Sequence, residues 1–173
     1  CKTYNFAVDI GANVGLWSRI LAKRFNKVAS VEPIPENLEC LYLNTNGLSN
    51  VDIYPFAISK DIGMLELKYM DDAATANVVG YFDKYDIEVQ CKPLDDFGFT
   101  DVDFIKIDVE GYERNVIESG EFTIRKYRPV ITLEQAKRAV KYDGYKFAAI
   151  QLLASWGMTI AWENHGDYCM VWE

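Results

Sequence analysis

The chain has 173 residues, half of them hydrophobic, which is enough for one domain with a substantial core. Its formal net charge of −8 excludes a surface that tracks phosphates, because nucleic-acid binders cluster Lys and Arg, so no nucleic-acid partner is expected. No apolar run reaches the length of a membrane span, and no basic segment with an apolar stretch opens the chain, so it reads as soluble, unexported and cytoplasmic.

Cys1 stands where a methionine would, so the sequence reads as a fragment that an upstream helix or lid would precede. Cys1, Cys40, Cys91 and Cys169 are far apart and form no Cys-x-x-Cys pair, which indicates reduced thiols rather than zinc or a disulfide framework.

Phe6 to Ile10 is an apolar, β-branched run with one carboxylate, Asp9, and Gly11-Ala12-Asn13-Val14-Gly15 leads from it into a helical pattern. Leu16, Trp17, Ile20, Leu21 and Phe25 share the apolar face of that helix, and Asn13 is expected to cap its first turn. A buried parallel strand feeding a helix through glycines puts backbone N–H groups and a carboxylate at the edge where open α/β sheets bind ligands. Dinucleotide folds place a glycine where Asn13 stands, so that a pyrophosphate can approach the helix N-terminus. Here Asn13 crowds that place, and Asp9 would repel a phosphate and attract an amine. The stretch suits a cationic nucleoside, and Asp-x-Gly-x-x-x-Gly is the pattern of enzymes that use S-adenosylmethionine. The structural alternative is a strand-to-helix turn with no ligand.

Val28 to Val31 is a second strand ending in Glu32-Pro33. The interval from Gly11 to Glu32 is close to the ~20 residues after which nucleoside folds place the acid that accepts ribose hydroxyls. Two carboxylate oxygens would match two vicinal hydroxyls. Pro35 opens a helix with Leu38, Leu41 and Tyr42 on one side, and Val51 to Ile58 reads as the third strand. Phe56 and Ala57, at its end, would line an apolar slot for adenine or else belong to the core.

From Gly63 the apolar period changes to two in Met64 to Tyr69 and again in Ile87 to Lys92, which predicts a small antiparallel insertion over about 63–92. The polar stretch Asp71 to Asn77, followed by Gly80, reads as a lid over the acceptor site or as disorder. Leu94-Asp95-Asp96-Phe97 is a connector, and Val102 to Val109 the fourth strand. Alternation puts Lys106 and Asp108 on one face, and Glu110-Gly111 is expected to begin the next helix. A lysine and several carboxylates at one strand end are costly to desolvate unless they serve a ligand or pair with each other.

A helix through Val116 and Ile117 stops at Ser119-Gly120, and Pro129 to Leu133 is the fifth strand, ending in Glu134. The basic connector Gln135 to Lys141, with Lys137, Arg138 and Lys141, would rim the acceptor side for an anionic acceptor or form a solvated helical face. A last helix around Phe147 to Ala154 precedes two strands, Met158 to Trp162 and Tyr168 to Trp172, joined at Asn164-His165-Gly166-Asp167. His165, in that turn, reads as solvent-exposed.

Read together, these stretches resemble the FkbM-type family of S-adenosylmethionine-dependent methyltransferases. The resemblance rests on Val8 to Gly15, Val31-Glu32-Pro33, Ala57-Ile58-Ser59 with Gly63, and Leu94 to Phe97. It continues through Phe104-Ile105-Lys106-Ile107-Asp108-Val109-Glu110-Gly111-Tyr112-Glu113, and through Arg128 to Ile131 with Glu134. It implies a class I methyltransferase α/β fold, a Rossmann-like seven-stranded sheet in the order 3-2-1-4-5-7-6 with strand 7 antiparallel. It also implies methyl transfer to oxygen, usually a hydroxyl of a sugar or of a secondary metabolite, with S-adenosylmethionine as cofactor and a small-molecule or carbohydrate acceptor as partner.

Residue reading and resemblance together place cofactor contacts at Asp9, Gly11, Asn13, Gly15, Glu32, Pro33, Phe56, Ala57 and Asp108, and catalysis at Asp108, Glu110 and Lys106. Asp108 or Glu110 would be the base, while a Mg²⁺ shared by Asp108 and Glu134 is the rival role for those acids. Lys106 could equally form a structural ion pair. An NAD-dependent oxidoreductase is disfavoured by Asn13 and the terminal hairpin, and a non-catalytic binding module of the same fold remains open.

Overall fold

The computed structural model describes residues 1, 3–69, 76–78, 85–135, 145 and 147–173. In chain order the elements are β1 (Phe6–Ile10), α1 (Leu16–Ala22), β2 (Lys27–Val31), α2 (Pro35–Thr45), β3 (Val51–Tyr54), β4 (Ala57–Ile58), β5 (Gly63–Tyr69), β6 (Ala76–Val78) and β7 (Ile87–Lys92). A 3-10 turn at Leu94–Phe97 follows, then β8 (Val102–Ile107), α3 (Glu113–Ser119), α4 (Glu121–Tyr127), β9 (Val130–Glu134), α5 (Ala148–Ser155), β10 (Met158–Asn164) and β11 (Asp167–Trp172). Among the described residues no helix is long and apolar enough to cross a membrane.

Seven strands form one sheet in the order β3-β2-β1-β8-β9-β11-β10. Numbered within this sheet alone, that is the expected 3-2-1-4-5-7-6. β1, β2, β3, β8 and β9 pair in parallel, and β11 runs antiparallel to both β9 and β10. The reversal comes from His165 and Gly166, with φ of 53° and 104°. Positive φ at both central residues suits the hairpin turns whose twist matches paired strands. β1 is buried along its whole length, as a strand covered on both faces must be. The main core continues through Ile105, Ile107, Ile131, Leu133, Leu153 and Met170.

The third strand is shorter than its apolar run. β3 ends at Tyr54, and Ala57 and Ile58 leave for a second sheet ordered β4-β7-β5-β6. Pro55 has no N–H to continue a ladder, and the Phe56 N–H turns back onto the Tyr54 carbonyl at 2.9 Å. The second sheet is the insertion, antiparallel at β5–β6 and β5–β7 and parallel at β4–β7. Of the expected lid, Ala76 and Asn77 lie in β6, while Asp71 to Thr75 and Gly80 lie outside the described residues.

Two helices bury a different face from the one the apolar pattern predicts. In α1 Ser18 and Leu21 are buried, with Phe25 just beyond, whereas Leu16, Trp17 and Ile20 are exposed. In α2 the buried line is Asn37, Leu41 and Thr45, and Tyr42 is exposed. Polar residues take core positions here because buried partners satisfy them.

α4 is a helix without a legible start. Its first N–H groups are capped from a distance, Phe122 and Thr123 donating to the two Asp95 carboxylate oxygens at 3.0 and 2.8 Å. The preceding residue, Gly120, is pressed against Leu94, where an added Cβ would sit 2.5 Å from Cδ2. Gly120→Ala should therefore cost about 1–3 kcal/mol through overpacking, while Leu94→Ala alone should cost about 2–5 kcal/mol through its cavity. In urea melts the double variant should be more stable than the sum of the single losses, because the new methyl fills the space that Leu94 leaves. Strict additivity would show that the two residues do not press on each other.

Candidate functional site

The site is built where β1, β2 and β8 end. Gly11 turns the chain at φ +73°, and the N–H groups of Gly11 and Ala12 both donate to the Val31 carbonyl at 3.0 Å, tying the turn to β2. A Cβ on Gly11 would lie 1.8 Å from the Asp108 carbonyl oxygen, so the loops after β1 and β8 touch only because no side chain stands between them. A larger residue here would break that contact before it reached a ligand. Gly15, with φ +87°, is packed by Leu41 of α2 and lies off the cleft. Asn13 does not cap α1, since its side-chain oxygen accepts the N–H of Val14 at 2.7 Å.

Glu32 is 3% exposed at the end of β2. Its Oε2 accepts the Asn13 N–H at 2.9 Å, and its Oε1 accepts the Ile34 N–H at 3.0 Å and the Asn37 side-chain amide at 3.2 Å. Burial raises its pKa above the ordinary carboxylate value, and the donated N–H groups oppose that rise. Around it opens a cleft of about 720 Å³, counting the solvent in its mouth, lined by Gly11, Asn13, Glu32, Pro33, Phe56 and Ala57. Asp108 and Glu110 line the same cleft from the β8–α3 loop, and so does Tyr112. The described lining carries three carboxylates and no basic side chain.

Asp9 and Lys106 do not face this cleft. Asp9 is fully buried beneath the turn, where its Oδ2 accepts the Ser18 hydroxyl at 2.7 Å, and Ser18 in turn accepts the Ser30 hydroxyl at 2.8 Å. Lys106, 6% exposed, donates to the Gly11 carbonyl at 2.8 Å and lies 3.4 Å from Asp9 and 3.3 Å from Asp108. The ion-pair alternative thus describes Lys106, and Asp9 is its buried counter-charge rather than a ligand for an amine in the cleft.

β8 ends at Ile107, two residues earlier than its apolar run, and α3 starts only at Glu113. Between them Glu110 and Gly111 adopt φ of 57° and 106°, a left-handed pair that holds Asp108 and Glu110 in a loop and keeps Glu110-Gly111 out of the helix. Across from this loop stands Glu134, at the end of β9. Its pKa is raised to about 7, first by burial and then by Asp108, Glu110 and Asp167. A second cleft, of about 420 Å³ counting the solvent in its mouth, shares Asp108 with the first and is lined also by Trp17, Trp162, Thr132, Glu134 and Asp167.

Ser18 and Ser30 escaped the sequence analysis, Glu113 was seen there only as one of the acids after β8, and Trp17 and Trp162 only as apolar positions of a helix and a strand. Ser30 carried a signal, a polar residue inside an apolar strand, whereas the tryptophans look like ordinary core until the fold leaves them half exposed. Lys137, Arg138 and Lys141 lie outside the described residues.

A seven-stranded sheet of this order, with the next-to-last position antiparallel and, at its C-terminal edge, a cleft whose described lining is acidic and carries no basic group, is that of a class I S-adenosylmethionine-dependent methyltransferase. A family model described as the methyltransferase FkbM domain matches residues 9–160, and the chain belongs to that family. No curated protein sequence is significantly similar to it. Among solved structures, a methyltransferase FkbM from Methylobacillus flagellatus KT superposes with a TM-score of 0.63 at 17% identity, covering 99% of this chain and 44% of that one. The chain therefore spans less than half of that relative. A precorrin-6y C5,15-methyltransferase from Geobacter metallireducens GS-15 gives 0.56 at 14% identity, with 99% and 81% covered. A SAM-dependent methyltransferase from Aquifex aeolicus gives 0.51 at 15% identity, with 98% and 83% covered. The cofactor is S-adenosylmethionine, and the cleft fits it, since a cationic nucleoside without phosphates suits a described lining with three carboxylates, no basic side chain, and an apolar wall at Phe56 and Ala57.

The β8–α3 loop leans on one further acid. Glu113 is 1% exposed, its Oε1 accepts the Gly111 N–H at 2.8 Å, and its Oε2 meets no donor. Burial raises its pKa from 4.5 to about 7. Between those values the folded protein keeps a proton that the unfolded chain has released. The stability this proton confers is complete below pH 4.5 and is lost as pH rises through 7, an effect of about 3 kcal/mol. Glu113→Gln should flatten that pH dependence in urea melts between pH 4.5 and 8. An unchanged slope in the variant would remove Glu113 as its source.

Proposed function

We propose that the chain is an O-methyltransferase acting on a hydroxyl of a small-molecule or carbohydrate acceptor. The observation that carries this reading is Asp108, the only described residue common to both clefts, with the carboxyl of Glu134 in the second cleft beside it. S-adenosylmethionine supplies an electrophilic methyl group on a sulfonium. Gly11, Asn13, Glu32, Pro33, Phe56, Ala57 and Asp108 hold it.

Three of the roughly four lone-pair sites on Glu32 are taken by Asn13, Ile34 and Asn37, so one site on Oε2 remains for a ribose hydroxyl, rather than the matched pair that the sequence suggests. Phe56 and Ala57 supply the apolar wall. On the acceptor side, Asp108 takes the hydroxyl proton while Lys106, 3.3 Å away, balances the charge, and Glu134, its pKa raised to about 7 by burial and its acidic neighbours, stands beside it. Glu110 lines the same mouth and is the alternative base. Holding the reactants in line contributes about 7–11 kcal/mol and the base about 3–5, so positioning dominates. The four cysteines are free, in keeping with a single domain at work in the reducing cytoplasm.

Turnover on whichever hydroxylated acceptor of a glycoside and polyol panel supports the wild type should rise with pH around 7, as Glu134 gives up its proton. Glu134→Gln should move that limb toward lower pH, and Asp108→Asn should lower kcat about 10²–10⁴-fold while leaving a residual rate. Methyl transfer to amines alone, or an unaltered pH profile in Glu134→Gln, would overturn the reading. In calorimetric titration with S-adenosylhomocysteine, Glu32→Gln should weaken binding about 10–100-fold, because its amide meets the Asn13 N–H donor to donor and the charge is gone. An unchanged affinity would exclude Glu32 from the cofactor site.

A further inference from the structure

We infer that Glu113 is a positioning residue for methyl transfer, its carboxyl holding from behind the loop that carries Asp108 and Glu110 into the cofactor cleft. This rests on the methyltransferase reading above. Glu113 is absent from the described lining of both clefts, so it acts through the backbone and not on a substrate.

The loop between β8 and α3 is tied at its two ends. The Asp108 N–H donates to the Ile10 carbonyl at 3.1 Å, and the Val116 N–H donates to the Tyr112 carbonyl at 3.2 Å. Between these ties Glu110 holds a φ of 57°, which a residue with a side chain keeps only where its surroundings impose it. Glu113 supplies the constraint. Its Oε1 accepts the N–H of Gly111, the residue next to Glu110, at 2.8 Å, and the side chain is 1% exposed, so water does not compete for that donor. Burial raises the pKa of the carboxyl, and the N–H groups of Gly111, Glu113 and Val109 oppose the rise, so three donors of one short stretch converge on it. Because Glu113 also opens α3, a single side chain fixes the loop to the helix that follows.

The backbone from Asp108 to Gly111 is thus pinned by Ile10 at one end and by Glu113 at the other. Released at the second point, Glu110 can leave the left-handed region, and the two acids lose their fixed spacing. The cofactor should feel this less, because Gly11, Glu32, Pro33, Phe56 and Ala57 line its cleft from other parts of the chain. What matters at position 113 is an oxygen that reaches Gly111, not a negative charge.

The test compares Glu113→Gln, which keeps an oxygen for the Gly111 N–H, with Glu113→Met, which keeps the bulk and removes the acceptor. In amide hydrogen exchange by NMR, with S-adenosylhomocysteine bound, Gly111 should exchange slowly in the wild type and in Glu113→Gln and much faster in Glu113→Met. On whichever acceptor of the glycoside and polyol panel the wild type methylates, Glu113→Met should lower kcat about 10–100-fold, as expected when a reacting group shifts by about 1 Å. Its affinity for S-adenosylhomocysteine by calorimetry should stay close to that of the wild type, and Glu113→Gln should restore kcat. A wild-type Gly111 amide that exchanges as freely as an unbonded one, undiminished kcat in Glu113→Met, or equal loss of kcat in both variants overturns the inference. So does a loss of S-adenosylhomocysteine affinity as large as the loss of kcat. If Glu113→Met does not fold, Glu113→Gln decides, since release of Gly111 or loss of kcat in that variant overturns the inference and retention of both supports it. Methylation of no panel member by the wild type instead overturns the hydroxyl-acceptor reading, and Gly111 exchange in the wild type and Glu113→Gln then decides whether Glu113 holds the loop.

Discussion

The ammonium group of Lys106 holds together the parts on which everything else depends. It binds the carbonyl of the first turn, the buried carboxylate of β1 and the acid at the end of β8, which are three separate strand-end features. An ammonium at 6% exposure would be costly to bury by several kcal/mol if it were alone. Its partners remove that cost and are themselves fixed by it. Asp9 would be an uncompensated charge without Lys106, and Ser18 and Ser30 extend the same chain of contacts into α1 and β2. A polar thread in the sheet thus sets the distance between the turn after β1 and Asp108 at the end of β8.

Electrostatics then divides the work between the two spaces. The cofactor cleft is acidic and without basic lining among its described residues, so it favours a cation and disfavours a pyrophosphate. Beside it, burial and then the neighbouring charges of Asp108, Glu110 and Asp167 raise the pKa of Glu134 to about 7.

Much of the fold was legible because strand order follows from where the apolar runs fall and how they alternate. β1, β2, β8, β9 and the terminal hairpin stand close to their predicted positions, and Glu32 and Asp108 were marked by position at strand ends. The misreadings share a physical cause, which is that local pattern is blind to partners far along the chain. α4 was hidden because its cap is Asp95, well upstream. Leu16, Trp17 and Ile20 were assigned to the core by spacing, but the position facing the sheet belongs to Ser18, whose hydroxyl has Asp9 to meet. Asp9 and Lys106 carry the charges of a ligand site and spend them on each other.

The insertion leaves and rejoins the body through two short strands lying side by side, with Ala57 opposite Cys91 and Ile58 opposite Lys92. Entry and exit are therefore clamped side by side, and the chain between them closes a loop that packs back on Ile34. The entropic cost of closing such a loop grows only by about 0.6 kcal/mol for each doubling of its length. Added length within that loop is consequently tolerated more readily than a change at Leu65, Leu67 or Val78, which line the cleft. Because Phe56 and Ala57 stand at the clamp and line the same cleft, the insertion can reshape one side of it while the strand ends that carry Glu32 and Asp108 stay in place.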